Sequence, residues 1–285
     1  MNEFWMWWQH LPQHMDPVIV EIGWFRLQYY GMMYVVAFAV TYVLTRYRIG
    51  REDRFDLTPD GLLDLMTWLI IGLMIGARLG YVVFYNAAYY LRRPWEIILP
   101  LDFSNGVTFT GISGMSYHGG LIGVLLAAWL YCRRSGVKFR DMADLFCPAI
   151  PLGYTFGRLG NFINGELYGR MTDHSIGMFF PLAPGPFRRH PSQLYEAFFE
   201  GIVLFILLWS IRKKSFPRGA MLPLYLIGYG TARFFIEFAR QPDAHLGTVL
   251  GPFSMGQLLC GAMILGGAGI LEYLRRQAGH ESAGR

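Results

Sequence analysis

The densest group of polar residues lies in residues 157–169, with the sequence GRLGNFINGELYG, at the end of an apolar stretch. Arg158 and Asn161 are three residues apart, so a helix places them on one face. Gly165 lets the chain turn out of that helix, and Glu166 can then fold back over both side chains. A guanidinium fork matches the oxygens of a phosphate in a bidentate pair. This stretch therefore predicts a site for an anion that carries phosphate.

The elements that hold these residues are predicted from composition and apolar runs. Of the 285 residues, 53% are hydrophobic and 16% are charged, which is typical of a membrane protein rather than a soluble one. Runs long enough to cross about 30 Å of hydrocarbon occupy seven regions: 22–45, 61–84, 112–132, 142–163, 194–211, 219–237 and 253–274. The predicted fold is all-α, a polytopic membrane protein with seven transmembrane helices. Residues 1–285 are expected to form a single membrane-embedded catalytic domain, with external segments 86–117 and 165–193.

Basic residues follow alternate apolar regions, which predicts the orientation of the chain. They cluster in residues 46–54, 133–140, 212–218 and 275–276. By the positive-inside rule these ends are cytoplasmic, so the N-terminus is predicted outside and the C-terminus in the cytoplasm. The net charge of +5 then reflects contact with anionic inner-leaflet lipids and implies no nucleic acid.

Polar side chains on several predicted helices reach one depth. Counting about 1.5 Å per residue from the cytoplasmic anchors places them in the outer half of the bilayer. They are Tyr30, His118, Arg158 and Arg233, with Arg78 closer to the outer surface. A central arginine costs roughly 2.5–3.5 kcal/mol on insertion scales, so partners must offset it. Glu237, one turn from Arg233, and Glu166 give two carboxylates against three arginines. A phosphate between Arg158 and Arg233 is expected to complete the balance.

Each of these residues also has a structural interpretation. Arg78 could extend to the outer head groups, and Arg158 with Arg233 could belong to an ion-pair network that joins helices. His118 could be a hydrogen-bonded core histidine, although the two following glycines allow a ligand to approach closely. Tyr30 could be an interfacial aromatic residue.

Two further patterns concern packing and metals. Gly153 and Gly157 are four residues apart, as in close helix packing of the small-xxx-small type. The seven histidines are scattered, and no HExxH motif or carboxylate cluster has the spacing of a metal site. No metal and no cofactor are predicted.

Motifs in a fixed order along the chain resemble those of the prolipoprotein diacylglyceryl transferases. They are DPVI at 16–19, YYG at 29–31, GARLGY at 76–81, SYHGG at 116–120, the 157–169 stretch, HPSQLYE at 190–196 and residues 229–243. The resemblance covers nearly the whole chain. A match at so many ordered points is far more specific than any of the motifs alone.

The resemblance implies a multi-pass enzyme of the bacterial plasma (inner) membrane, with its active site towards the periplasmic leaflet. Its expected reaction transfers the diacylglyceryl group of phosphatidylglycerol to the thiol of the lipobox cysteine of prolipoproteins. A thioether forms and glycerol 1-phosphate leaves, in the first step of lipoprotein maturation. The residues that the resemblance marks as important are Tyr30, His118, Arg158, Asn161, Glu166, Gly169, Arg233 and Glu237.

The residue chemistry suggests roles for these side chains. His118 is the candidate base for the thiol, because imidazole exchanges a proton near neutral pH. Arg158 and Arg233 would stabilise the departing phosphate. The expected substrate-binding residues are Tyr30, Arg78, Asn161, Glu166, Gly169 and Glu237.

Three other functions remain open at this point. A transporter or flippase for an anionic lipid would also line its path with polar groups. A phospholipid hydrolase or phosphotransferase would release a product without any thiol acceptor. A purely structural membrane protein is disfavoured by the cost of the intramembrane arginines.

Overall fold

Helices make up most of the computed structural model of this chain, which describes residues 2–23, 25–98, 101–102, 108–109, 114–241, 248–250 and 253–283. They are α1 Glu3–His10, α2 Tyr29–Ile49, α3 Pro59–Tyr85, α4 Ala87–Arg92, α5 Tyr117–Ser135, α6 Phe139–Phe146, α7 Ile150–Ile163, α8 Ser192–Glu196, α9 Leu204–Ile211, α10 Met221–Ile236 and α11 Met255–Ala283. A π-helical turn, Ala197–Val203, joins α8 to α9. Short 3-10 turns span Leu11–His14 and Pro94–Ile97.

The strands form two-stranded antiparallel pairs. They are β1 Val18–Ile22 with β2 Phe25–Gln28, β3 Leu101–Asp102 with β4 Thr108–Phe109, and β5 Thr248–Leu250 with β6 Phe253–Ser254. The first pair corrects one predicted boundary, because Ile22 and residues 25–28 belong to strands and the helix begins at Tyr29.

Helices occupy all seven predicted apolar regions, but the fourth region is interrupted. There α6 ends at Phe146 and α7 begins at Ile150. Pro148 lies in the interruption, and Pro151 lies in the first turn of α7. Proline lacks a backbone N–H and is tolerated in a helix mainly in the first turn, so two prolines at this spacing favour a new helix over a continuous one.

Among the residues that the structure describes, three helices are long and apolar enough to cross a membrane. They are Pro59–Tyr85, Ser192–Ile211 and Met255–His280, and Met221–Ile236 is a shorter apolar helix. The prediction of a mostly helical chain with several candidate membrane spans is therefore confirmed. The number of seven spans and the orientation of the termini stay predictions.

The described chain divides into two compact units. The first comprises Met1–Arg48 and Ala143–Arg285, and the second comprises Ile49–Met142. The single membrane domain stays a prediction. In the second unit, α3 and α5 pack closely through glycines, since a Cβ atom on Gly76 would lie 2.7 Å from the Cα of Gly123. Small residues allow this approach of two helix backbones, as is common between membrane helices.

In the first unit, glycines of α7 face α2. A Cβ atom on Gly153 would lie 2.8 Å from Thr41 Oγ1 and 3.0 Å from the carbonyl oxygen of Ala37. A Cβ atom on Gly160 would lie 3.2 Å from Tyr30 Cδ2. Gly157 has nothing within 4 Å of such an atom in the described chain. The predicted close packing thus uses positions 153 and 160, two turns apart, and not the predicted pair 153 and 157.

This packing gives a matched pair of substitutions. Gly153→Ala is expected to destabilise the protein by about 1–3 kcal/mol, because the methyl group meets the α2 backbone. Gly157→Ala is expected to be neutral or to stabilise by about 0.5–1 kcal/mol, since it only reduces backbone freedom in a helix. The midpoints of thermal unfolding in detergent micelles measure both. Equal midpoints for the two variants would contradict the assigned α2–α7 contact.

The segment 165–193, which is predicted to be external, is bound to the N-terminal helix α1. Trp8 Nε1 donates to the carbonyl oxygen of Ile176 over 3.0 Å, and Gln9 Nε2 donates to that of Ser175 over 3.0 Å. Gln9 is buried, and its carbonyl oxygen accepts from the backbone N–H of Phe179. The amino end of the chain therefore helps to fix the segment that follows Glu166.

Candidate functional site

One face of α7 carries the first part of the site. Tyr154, Arg158 and Asn161 lie at positions i, i+4 and i+7, which share a helix face. Arg158 Nε donates to the hydroxyl of Tyr154 over 2.7 Å, and Nη1 donates to Asn161 Oδ1 over 3.2 Å. The guanidinium carbon also lies 4.7 Å from the centre of the Tyr154 ring. The prediction that Arg158 and Asn161 share one helix face is therefore confirmed.

Glu166 folds back over the end of α7, as the sequence predicts. Gly165 adopts a positive φ of 68°, which turns the chain out of the helix. Asn161 Nδ2 then donates to Glu166 Oε1 over 2.8 Å. Gln193 Nε2 donates to the backbone carbonyl of Glu166 over 2.6 Å and holds the turn in place. Glu166 reaches Arg158 through Asn161 rather than directly.

A carboxylate that sequence reasoning did not assign joins the two central arginines. Glu196, at the end of α8, is 1% exposed. Its Oε2 lies 2.8 Å from Arg158 Nε, and its Oε1 lies 3.0 Å from Arg233 Nη1 on α10. Arg158 and Arg233 are thus brought together, as predicted, but a protein carboxylate lies between them.

Two further glutamates contact Arg233. Glu200 Oε1 lies 3.6 Å from Nη1, and Glu237 Oε2 lies 3.5 Å from Nε. The second contact confirms the predicted pair one turn apart on α10. Ser254 Oγ donates to Glu237 Oε1 over 3.1 Å, and Arg240 Nη1 lies 3.9 Å from Glu237 Oε2.

The predicted charge balance is therefore wrong. Sequence reasoning set three arginines against two carboxylates and assigned the missing negative charge to a phosphate. The cluster instead contains three arginines and three glutamates: Arg158, Arg233, Arg240, Glu196, Glu200 and Glu237. A phosphate is not required for neutrality, because Glu196 and Glu200 supply the charge that was thought to be absent.

Donors of both central arginines nevertheless remain for a ligand. The side chains of Arg158 and Arg233 are 18% and 12% exposed. Within the described part of the chain, Nη2 of neither residue donates a hydrogen bond. Guanidinium groups bind phosphate oxygens well. The two arginines can therefore bind an anion through these remaining donors while Glu196 holds Arg158 Nε and Arg233 Nη1.

Tyr30 and Gly169, two further predicted site residues, make packing contacts in the first unit. Tyr30 packs on Gly160 of α7, and its hydroxyl lies 3.0 Å from that of Tyr34. Gly169 donates its N–H to the carbonyl of His190, and a Cβ atom there would lie 2.8 Å from the Cβ of His190. Partial burial, with the nearby positive charge of His174, lowers the pKa of His190.

The second unit contains the other two predicted residues. His118 is exposed in the first turn of α5, and its ring lies 5.7 Å from that of Tyr117. Arg78 is half-buried and donates to backbone carbonyls, over 2.9 Å to Ile97 and 2.6 Å to Glu96. Arg78 thus holds the 3-10 turn of the 86–117 segment in place. The sequence predicted either substrate binding or contact with the outer head groups for Arg78, and neither includes this role.

Four residues of this site were not predicted from the sequence: Tyr154, Glu196, Glu200 and Arg240. The signal was present, because two glutamates four residues apart in the apolar run 194–211 share a helix face. The cost that singled out the arginines applies equally to buried carboxylates. Part of one predicted motif, Pro242 and Asp243, lies outside the described residues.

Comparison with known proteins identifies the family. Residues 17–273 match the family described as Prolipoprotein diacylglyceryl transferase. A phosphatidylglycerol–prolipoprotein diacylglyceryl transferase of Chlorobaculum tepidum is 57% identical over 280 residues, or 98% of this chain and 96% of the relative. A relative of the same name from Bordetella avium is 48% identical over 88% of this chain and 92% of its own length. Another from Treponema denticola is 41% identical over 96% of this chain and 97% of its own length. The chain belongs to the prolipoprotein diacylglyceryl transferase family.

Proposed function

We propose that this chain transfers the diacylglyceryl group of phosphatidylglycerol to the thiol of a lipobox cysteine in a prolipoprotein. The product is a thioether, and glycerol 1-phosphate is released, as the first step of bacterial lipoprotein maturation. The family and the names of the relatives support the donor and the acceptor class. The candidate spans support a lipid substrate, since a membrane enzyme meets its donor in the bilayer.

The observation that carries this proposal is the convergence of Arg158 and Arg233 on Glu196. In the proposed step the sulfur attacks the carbon of the diacylglyceryl unit that is bonded to the phosphate oxygen. The bond between that carbon and that oxygen breaks, and glycerol 1-phosphate leaves. Negative charge then accumulates on the leaving phosphate. Two guanidinium groups already held in place stabilise that charge without reorganising, which is where preorganised cations are most effective.

The remaining roles follow from contacts and residue chemistry. Asn161 and Tyr30 would donate to glycerol or phosphate oxygens, while Glu237 orients Arg233 directly. Glu166 orients Asn161 and, through it, Arg158. His118 would accept the thiol proton, since a thiol with pKa near 8.5 is only a few per cent ionised at neutral pH.

The other assigned residues act through the backbone. Arg78 would hold the 86–117 segment in place, and Gly169 would permit close contact of the chain with His190. No metal or cofactor is invoked. The enzyme would lie in the inner membrane with seven spans, the N-terminus outside, and the site towards the periplasmic leaflet.

Transfer to a synthetic acceptor tests the proposal. The purified protein is incubated with phosphatidylglycerol and a lipobox peptide, and the peptide is weighed by mass spectrometry. We expect a diacylglyceryl mass increment that is absent when the acceptor cysteine is replaced by serine. Lipid consumption without any peptide product would indicate a hydrolase, and redistribution of intact lipid between leaflets of vesicles would indicate a flippase. Either result would overturn the proposal.

A further inference from the structure

Five side chains of the first unit, including the two central arginines, form a closed ring of contacts. Arg158 Nε donates to the Tyr154 hydroxyl over 2.7 Å, and that hydroxyl donates to Glu200 Oε2 over 2.5 Å. Glu200 Oε1 lies 3.6 Å from Arg233 Nη1. Glu196 closes the ring with contacts of 3.0 Å to Arg233 and 2.8 Å to Arg158. Each arginine is thus held from two directions.

Glu200 is the member of the ring with the least access to solvent. Its side chain is 0% exposed, and within the described chain its Oε1 has no hydrogen-bond donor. Burial of a carboxylate is costly unless it is paired and hydrogen-bonded. The buried carboxylate of Glu200 therefore depends on its two partners, Tyr154 and Arg233.

The backbone is adapted to bring Glu200 to this place. Glu200 lies in the π-helical turn Ala197–Val203, and such turns occur frequently at functional sites. Gly201 lies against α7, where a Cβ atom would be 3.1 Å from the Cβ of Thr155. The hydroxyl of Thr155 in turn donates to the carbonyl of Ala197 over 3.3 Å. The turn is therefore fitted to α7 next to Tyr154.

Tyr154 transmits the effect of Glu200 to Arg158. A phenol has one proton to donate, and Glu200 accepts it, so the lone pairs of the hydroxyl point towards Arg158 Nε. Without Glu200 the hydroxyl would be free to donate to Glu196, whose Oε2 lies 3.4 Å away. That alternative would compete with Arg158 for the bridging carboxylate.

We propose that Glu200 and Tyr154 are positioning residues that orient the guanidinium of Arg158 towards the phosphate of the lipid donor. Neither residue touches the substrate in this proposal, which rests on the proposed function. Misplacement of a binding group by about 1 Å can lower a rate about 100-fold, so the loss of this link is measurable in turnover.

Conservative variants test the link. Tyr154→Phe keeps the ring and removes the hydroxyl, and we expect it to lower kcat/KM for phosphatidylglycerol about 100-fold. Glu200→Gln keeps an acceptor oxygen but loses the charge that strengthens the bond, so we expect roughly a tenfold loss. The double variant should lose little more than Tyr154→Phe alone, because both changes break one link.

Thr45→Val is the matched control. It removes a buried hydroxyl that donates to the carbonyls of Thr41 and Tyr42 within α2, without contact to the ring, and we expect turnover near that of the wild type. Losses that multiply in the double variant, or a lowered melting temperature with unchanged turnover per folded molecule, would overturn the inference and leave the proposed function intact.

Lipid retention gives a second readout that does not depend on catalysis. Native mass spectrometry compares retention of phosphatidylglycerol with that of diacylglycerol, which has the same chains and no phosphate. We expect the preference for phosphatidylglycerol to fall in Tyr154→Phe and Glu200→Gln but not in Thr45→Val. Failure of the wild type to transfer the diacylglyceryl group would overturn the proposed function. An unchanged preference for phosphatidylglycerol in all variants would overturn the positioning role.

Discussion

Arg158→Lys is expected to lower the rate of diacylglyceryl transfer about 100- to 1,000-fold, the usual effect of removing one preorganised donor from a charge-stabilising site. Lysine keeps the positive charge but has no planar fork. A single ammonium group cannot meet Tyr154, Glu196 and Asn161 and also present donors to a phosphate. Single-turnover mass spectrometry of a lipobox peptide at saturating phosphatidylglycerol measures the effect on the chemical step.

Arg276→Lys is the matched control for this prediction. Arg276 also pairs with a glutamate, Glu272, with Nε 2.8 Å from Oε1, but its side chain is 75% exposed on α11. We expect its rate to equal that of the wild type, since an exposed pair leaves both side chains solvated. A rate for Arg158→Lys within a few-fold of the control would remove Arg158 from leaving-group stabilisation.

Arg158 and Arg233 were predictable because each interrupts an apolar run. Burying an arginine in a membrane helix costs free energy, so its presence there indicates a function or a partner. Their relative position was not predictable in detail, since the contact runs through Glu196 on another helix. Glu196 and Glu200 carry a comparable cost of burial and were equally predictable. They were left out because the missing negative charge was assigned to a ligand.

The positions of the helices followed from apolar runs, whereas their irregularities did not. The π-helical turn at Ala197–Val203 leaves no mark on hydropathy, because its residues are as apolar as those of an ordinary helix. The packing of α7 on α2 depends on which glycines face the neighbour. Gly153 and Gly160 do so and Gly157 does not, and only the rotation of the helix about its axis decides this.

Glu196→Gln is expected to destabilise the protein by about 3–5 kcal/mol, the usual cost of breaking a buried ion pair by removal of one partner. Glu196 is 1% exposed and lies within 4 Å of Arg158, Arg233 and Arg240, so its loss leaves three cations with fewer anions. The midpoint of thermal unfolding in detergent measures the change. Glu272→Gln, which breaks an exposed pair, should leave the midpoint nearly unchanged.

The same variant also tests where the lipid phosphate binds. If phosphatidylglycerol places its phosphate against Arg158 and Arg233, an anion replaces the charge that Glu196→Gln removes. A ligand that binds the folded state stabilises it more the more tightly it binds, so added phosphatidylglycerol should raise the midpoint more in this variant than in the wild type. Diacylglycerol should raise both equally, because it has no phosphate. An equal rise with both lipids would place the phosphate away from the two arginines, and the leaving-group role would then have no structural basis.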